Sequence, residues 1–226
     1  MLEGVKGPTM QNADPIRVMC VDDHPLVRDG VRFALHQQND MQLVAEATNG
    51  LESLAAFRKF MPTITLMDVS MPLMDGLDAA AAIREEFPQA KIVILTRYAG
   101  DIKATRAFKL GAVGYLLKGL SRRELVDAIR AARSGIRRIP MEIASNIAEH
   151  VSADHLSERE IEVLREVAGG CANKVVAEKL LISEDTVKGH MKSILAKLRA
   201  NDRTHAVMIG LKRGFLGCFE TSGEAY

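Results

Sequence analysis

Four short apolar runs in this chain end on residues able to do chemistry. IRVMCV, residues 16–21, stops at Asp22-Asp23. TITLMDV, 63–69, contains Asp68, with Met71-Pro72 and a Gly turn close behind. KIVILT, 91–96, ends on Thr96, and AVGYLLK, 112–118, ends on Lys118. If these runs are parallel strands, their C-terminal ends share one edge, where open α/β sheets bind ligands. Three carboxylates, a hydroxyl and an amine then converge. Clustered carboxylates repel one another and call for a cation, and hard oxygen ligands suit Mg²⁺. Such a cation would neutralise charge on an incoming phosphoryl group. Asp68 would act as nucleophile and form an acyl phosphate. Thr96 would donate a hydrogen bond to the phosphoryl oxygens, and Lys118 would supply positive charge. Any one of these residues alone could simply end a strand; five of them at the ends of four strands point to chemistry.

The elements needed to hold this set are legible. From residue 16 to 133, β-branched runs alternate with stretches of helical apolar spacing, such as LESLAAFRKF, LDAAAAIREEF and DIKATRAFKL. The remaining run is MQLVAEA, 41–47. SRRELVDAIRAAR opens with Ser121 and carries Glu124 three residues later, the pattern of a capping box. Five strands alternating with five helices predict a doubly wound parallel sheet. The first and third strands are the most apolar, as central strands covered on both faces must be.

From residue 157 the strand pattern disappears. Ser157 and Glu160 form a second capping box, opening a helix that Gly169 and Gly170 stop. NKVVAEKLL, SEDTVKGHMKSILAKLRA and NDRTHAVMIGLKRG complete a compact set of four helices. The intervening residues 134–155 read as a linker, in which MEIASNIAEH forms a short helix after Pro140. In the third of the four helices Val187, Met191, Ile194, Leu195 and Leu198 make a core face, while Thr186, Lys188, Gly189, Lys192 and Ser193 fall away from it. Two lysines one turn apart suit a helix entering the DNA major groove, although such lysines are commonly just a solvated face. Ser183 is the expected N-cap. Residues 156–213 hold eleven Lys/Arg and eight Asp/Glu, a modest basic excess of 3.

The totals set bounds. The chain has 226 residues, 47% hydrophobic and 26% charged, with a net charge of +1, a globular composition that says little about partners. No run of about 18 apolar residues is present, so no membrane span is expected. The first 15 residues read as a loose tail and not as a signal peptide. Cys20, Cys171 and Cys218 are far apart and odd in number, with no disulfide framework, and Cys20 reads as a small buried hydrophobe. His36, His150, His155 and His205 are scattered, and no Cys/His spacing supports zinc. His24 reads as a surface residue at a helix start, with a place near the acidic crevice as the alternative. A cytoplasmic protein fits these features.

VDDHP, MDVSMPLMDG, ILT and GYLLK resemble the receiver domain of two-component response regulators, over residues 16–133. The resemblance implies a CheY-like fold with Asp68 as phosphoacceptor. It implies a metal held by Asp22, Asp23, Asp68 and the backbone carbonyl of Ser70. It makes Thr96 and Tyr115 a switch pair and Lys118 the phosphate-facing lysine. Most receivers place Pro after this lysine, with a cis bond before it; here Gly119 follows, leaving open a cis bond or a different approach of Lys118. Residues 156–216 are similar to the LuxR-type helix-turn-helix domain, so the whole chain resembles the NarL/FixJ class. By that resemblance Thr186, Lys188, Gly189, His190 and Lys192 face DNA, with His190 at a position that meets the phosphate backbone. Gly189 replaces a larger side chain, and Arg199-Ala200 replaces a common Gly-Val, which bears on the target sequence.

These readings imply a transcription factor and not an enzyme. A sensor histidine kinase would phosphorylate Asp68, and the protein would dimerise and bind double-stranded promoter DNA. Two rivals stand beside this. A regulator working without phosphate, with a vestigial or ligand-controlled receiver, has no need of an intact five-residue pocket. A hydrolase of the haloacid type usually carries a second Asp two residues after its nucleophile, where this chain has Ser70.

Overall fold

The computed structural model describes residues 14–97, 100–150 and 155–216. Most of the N-terminal tail, part of the linker and Cys218 therefore lie outside the described residues. Five strands are present: β1 (Ile16–Val21), β2 (Met41–Ala47), β3 (Ile64–Asp68), β4 (Ile92–Thr96) and β5 (Gly114–Leu117). They form one sheet in the order β2-β1-β3-β4-β5. β1 runs parallel to both β2 and β3, pairing Val18 with Leu43 on one side and Ile64 on the other. All five residues of β3 are buried, as a central strand covered on both faces requires.

Helices connect the strands: α1 (Pro25–His36), α2 (Gly50–Phe60), α3 (Gly76–Glu86), α4 (Asp101–Lys109) and α5 (Arg122–Arg133). Pro25 suits the first turn of α1, where its missing N–H costs nothing. Asn49 accepts from Glu52 N to cap α2, and Asp75 accepts from Leu77 N and Asp78 N to cap α3. The box at Ser121 and Glu124 opens α5 with both of its bonds made.

Beyond α5 the chain is helical: α6 (Met141–His150), α7 (Glu158–Ala168), α8 (Asn173–Leu180), α9 (Glu184–Leu198) and α10 (Arg203–Arg213). Val163, Leu164, Val167, Val176, Val187, Met191, Ile194, Leu198 and Ala206 build the apolar centre of the last four. Leu195, expected in that face, packs against it half-buried. The described residues fall into two compact units, within 1–93 plus 121–136 and within 94–120 plus 137–226. The second unit thus contains α4 and β5 as well as α6 to α10. Within it, Arg138 lies beside Gly114 as an isolated parallel bridge, and Tyr115 N donates to Arg138 O at 3.0 Å. No helix among the described residues is long and apolar enough to cross a membrane.

Candidate functional site

The acidic group stands in the first unit. β1 delivers Asp22 and Asp23 at its end, and β3 delivers Asp68. One ligand atom from each of Asp22, Asp23, His24 and Asp68 lies within 4.8 Å of the others. Asp22 and Asp68 are buried, and Asp23 and His24 are half-exposed. Backbone bonds fix the two buried carboxylates: His24 N donates to Asp22 Oδ1 at 3.0 Å, and Val69 N donates to Asp68 Oδ1 at 2.8 Å. Arg28 Nη1 donates to the Asp22 carbonyl at 2.6 Å, and Asp22 N donates to Ala47 O at 3.0 Å. Three carboxylates with this spacing suit a hard divalent cation. Ser70 is exposed, just beyond Asp68.

His24 meets both expectations, standing at the helix start with 42% of its side chain exposed and lying beside the acidic crevice. It precedes α1, yet its ring turns back to the carboxylates. Nδ1 donates to Asp23 Oδ1 at 2.6 Å and lies 3.4 Å from Asp22 Oδ1. The acidic pair draws the ring in.

Two glycines shape the loop around Asp68, and sequence reasoning noticed only a turn there. A Cβ on Gly76 would fall 1.7 Å from the Asp68 carbonyl oxygen. Gly76 N donates to Val69 O at 2.9 Å, closing the 69–76 loop onto the end of β3. Gly50 meets Met74 of the same loop, its N donating to Met74 O at 3.1 Å.

Thr96, Tyr115 and Lys118 belong to the second unit. Thr96 ends β4 and is buried, and its carbonyl accepts from Lys118 N at 2.5 Å. Tyr115 is fully buried, its ring 6.1 Å from that of Phe108 in α4. The Lys118–Gly119 bond is trans, and Gly119 adopts φ +117. That backbone angle favours glycine and forbids the proline common at this position, which accounts for the departure.

The candidate reading helix is α9. Ser183 caps it, accepting from Thr186 N at 3.1 Å. Thr186, Lys188, Gly189 and Lys192 are exposed and His190 is half-buried. Lys188 is engaged along its own helix, 3.1 Å from Asp185 Oδ1 and 3.7 Å from Glu184 Oε1, and the bond to Asp185 raises its pKa. Lys192 makes no such ion pair among the described residues. Ser193 departs from the expected exposed face: it is half-buried and donates to Glu160 Oε1 at 2.6 Å.

Glu160 carries more than its capping box. It accepts from Ser157 N at 2.7 Å, Ser193 Oγ at 2.6 Å and Lys197 Nζ at 2.8 Å. Burial pushes its pKa up, but Lys197, Ser193 and Ser157 outweigh burial and hold it at about 2. The carboxylate therefore ties the start of α7 to α9. A depressed pKa contributes stability that is present above the unfolded value, near 4.5, and fades as pH falls toward 2. The expected loss is on the order of 3 kcal/mol. The protection of α9 amides, exchange relative to the intrinsic rate, should fall between pH 5 and about 3 in the wild type beyond the change seen in Glu160→Gln. An equal fall in both proteins would dismiss this role.

Residues 18–130 match the response regulator receiver domain, and residues 154–209 match the bacterial regulatory proteins of the luxR family. The transcriptional regulatory protein YxjL of Bacillus subtilis (strain 168) is 41% identical over 216 residues, covering 91% of this chain and 99% of YxjL. LiaR of the same strain is 36% identical, covering 85% of this chain and 95% of LiaR. Among solved structures, the response regulator ChrA of a heme-sensing two-component system covers 90% of this chain and 100% of ChrA at 35% identity, with a TM-score of 0.54. RcsB in complex with DNA covers 88% of this chain and 99% of RcsB at 26% identity, with a TM-score of 0.64.

Proposed function

The chain belongs to the two-component response regulators with a receiver domain and a LuxR-type DNA-binding domain, and from this premise we propose that Asp68 is its phosphoacceptor. The carrying observation is the buried carboxylate of Asp68 within 4.8 Å of the ligand atoms of Asp22, Asp23 and His24. Residues 16–133 form the receiver, 134–155 the linker and 156–216 the DNA-binding domain. A sensor histidine kinase supplies the phosphoryl group. One carboxylate oxygen of Asp68 forms the new P–O bond as the P–N bond to the kinase histidine breaks. Asp22, Asp23, Asp68 and the Ser70 carbonyl hold Mg²⁺, which supplies positive charge against the phosphoryl oxygens. Thr96 donates to a phosphoryl oxygen and Lys118 offsets its charge. The added charge of about −1.5 to −2 draws Thr96 toward it, and Tyr115 follows. The protein works in the cytoplasm, and phosphorylation favours a homodimer whose paired domains read two half-sites of promoter DNA.

Acetyl phosphate and Mg²⁺ should add one phosphoryl mass to the protein and tighten its binding to promoter fragments recovered by genomic mapping. A chain that gains the mass yet binds these fragments no better would return the phosphate-independent regulator to first place.

On α9, Thr186, Lys188, Gly189, His190 and Lys192 face the DNA. The two lysines are expected to differ. Lys188 must leave Asp185 to meet a base or phosphate, whereas Lys192 has no such competitor. Lys192→Ala should therefore cost more affinity for the promoter than Lys188→Ala. A lysine bonding a guanine edge contributes about 1–3 kcal/mol of discrimination, while one meeting phosphate changes the salt slope by about one unit. Lys212→Ala, outside this helix, should affect promoter and scrambled duplex alike. A salt series on both duplexes distinguishes these cases; equal losses on both for each α9 variant would leave only phosphate contacts.

A further inference from the structure

A nitrogen stands among the oxygens of the acidic pocket. His24 Nδ1 lies 2.6 Å from Asp23 Oδ1 and 3.4 Å from Asp22 Oδ1. A six-coordinate divalent cation with bonds of about 2.1 Å sets neighbouring ligands about 3.0 Å apart and opposite ones about 4.2 Å apart. The two separations of Nδ1 bracket the first of these values, and one ligand atom from each of Asp22, Asp23, His24 and Asp68 lies within 4.8 Å of the others. Nδ1 therefore stands where a neighbouring ligand belongs. His24 is also the N-cap residue of α1, yet its side chain makes no capping bond and turns to the carboxylates instead.

The oxygens beside the ring are held in place. Asp22 N donates to Ala47 O at 3.0 Å, Arg28 Nη1 donates to Asp22 O at 2.6 Å, and His24 N donates to Asp22 Oδ1 at 3.0 Å. Glu46 steadies the arginine, with Oε1 3.8 Å from Arg28 Nε. The ring lies on the water side of this frame: 42% of the His24 side chain is exposed, against 23% for Asp23 and none for Asp22. A cation entering from water meets the ring before the buried oxygens. A neutral imidazole carries one hydrogen, and with it on Nε2 the lone pair of Nδ1 faces the carboxylates. Oxygen ligands suit Mg²⁺, which gains little from an imidazole, whereas imidazole suits the later first-row divalent ions from Fe²⁺ to Zn²⁺.

We propose that His24 is a nitrogen ligand in the acceptor pocket and biases it toward a later first-row divalent ion over Mg²⁺. The proposal rests on Asp22, Asp23 and Asp68 forming the cation site of the phosphoacceptor. Toward Mg²⁺ the ring remains a hydrogen-bond partner of Asp23. Toward Co²⁺, Ni²⁺ or Zn²⁺ it adds a bond that the three carboxylates cannot supply. An all-oxygen site also binds these ions more tightly than Mg²⁺, so the assignment concerns the share of that preference which His24 carries. Phosphoryl uptake by Asp68 then depends on which divalent ion is available as well as on the phosphodonor.

Calorimetric titration of the full chain with Co²⁺ and with Mg²⁺ tests the assignment. His24→Gln keeps an N–H that can donate to Asp23 and removes the imidazole. It should weaken Co²⁺ by about ten-fold or more, the scale on which groups around metal ligands act, and leave Mg²⁺ close to the wild-type value. Because the ring makes no capping bond, the variant should keep the wild-type Tm without metal. A second readout needs no variant to fold. The Co²⁺-loaded wild type should show an exchangeable proton resonance shifted far downfield, from Nε2–H of a bound imidazole, and His24→Gln should lack it. A wild type without that resonance, or a resonance that persists in His24→Gln, would overturn the ligand role. Equal losses of Co²⁺ and Mg²⁺ in His24→Gln would make the ring a group that only orients Asp23, and would overturn it too. Asp68→Asn should weaken both ions. Wild-type affinity for both in Asp68→Asn would instead remove the cation from the phosphoacceptor pocket, a failure distinct from that of His24.

Discussion

Asp68→Asn should take up no phosphoryl group from acetyl phosphate, and its DNA affinity should no longer respond to that reagent. The amide has nearly the shape of the carboxylate but lacks its nucleophilic oxygen pair. Its Oδ1 can still accept from Val69 N, which in the wild type lies 2.8 Å away. The fold should therefore survive. Asp22 and Asp68 are both buried, with Asp23 close by, and like charges so placed repel one another. Removing one should leave Tm unchanged or raised when no divalent cation is added. Adding Mg²⁺ should then stabilise the wild type more than the variant, because mass action favours the protein with the full set of ligands. Intact mass gives the first result and thermal unfolding with and without Mg²⁺ the second. A full phosphoryl mass on Asp68→Asn would move the acceptor to another side chain and undo the assignment.

The parts of this fold that were readable from sequence are those specified by neighbours in the chain. The ends of β1 and β2 coincide with their β-branched runs, and the other strands are shorter than their runs by one or two residues at an end. Both Ser-x-x-Glu boxes form, because the two partners are held within one turn of helix. The helix after Pro140 forms as well. Contacts between distant segments were not readable. Ser193 shares the helical phase of groove-facing residues, yet Glu160 of another helix captures its hydroxyl. Asp101 and Arg213 each look like an ordinary charged residue at a helix end, yet Arg213 Nη2 donates to Asp101 Oδ2 at 3.0 Å, a pairing no periodicity marks. Gly119 was legible as a departure, but its reason, φ +117, is a backbone fact. The acidic group falls between these cases. Sequence placed Asp22, Asp23 and Asp68 at strand ends, and parallel pairing of β1 with β3 brings those ends side by side. His24 sits at a helix start, where sequence carries no sign of which way a side chain turns, so surface and crevice both stay open until the ring is seen beside Asp23.

The same substitution at two glycines should have opposite effects. Gly189 lies inside α9, and a Cβ there would meet nothing within 4 Å. Gly189→Ala removes the entropic cost of glycine in a helix and should stabilise by roughly 0.5–1 kcal/mol. Gly76 begins α3, where a Cβ would lie 1.7 Å from Asp68 O, 2.8 Å from its carbonyl carbon and 3.0 Å from Met67 Cγ. The first two obstacles are backbone, held in the central strand β3, so no side chain can rotate away. Gly76 must instead retreat by well over an ångström, which strains its bond to Val69 O and the cap that Asp75 makes on Leu77 N and Asp78 N. The expected cost is about 3 kcal/mol or more, a large share of the 5–15 kcal/mol that typically separates folded from unfolded domains. It should appear as a lower urea midpoint with an unchanged slope. Phosphoryl uptake should fall too, because the displaced loop carries Ser70 and abuts the Asp68 backbone. A Gly76→Ala protein as stable as the wild type would mean that the loop does not rest on Asp68, and the geometry assigned to the acceptor would have to be abandoned.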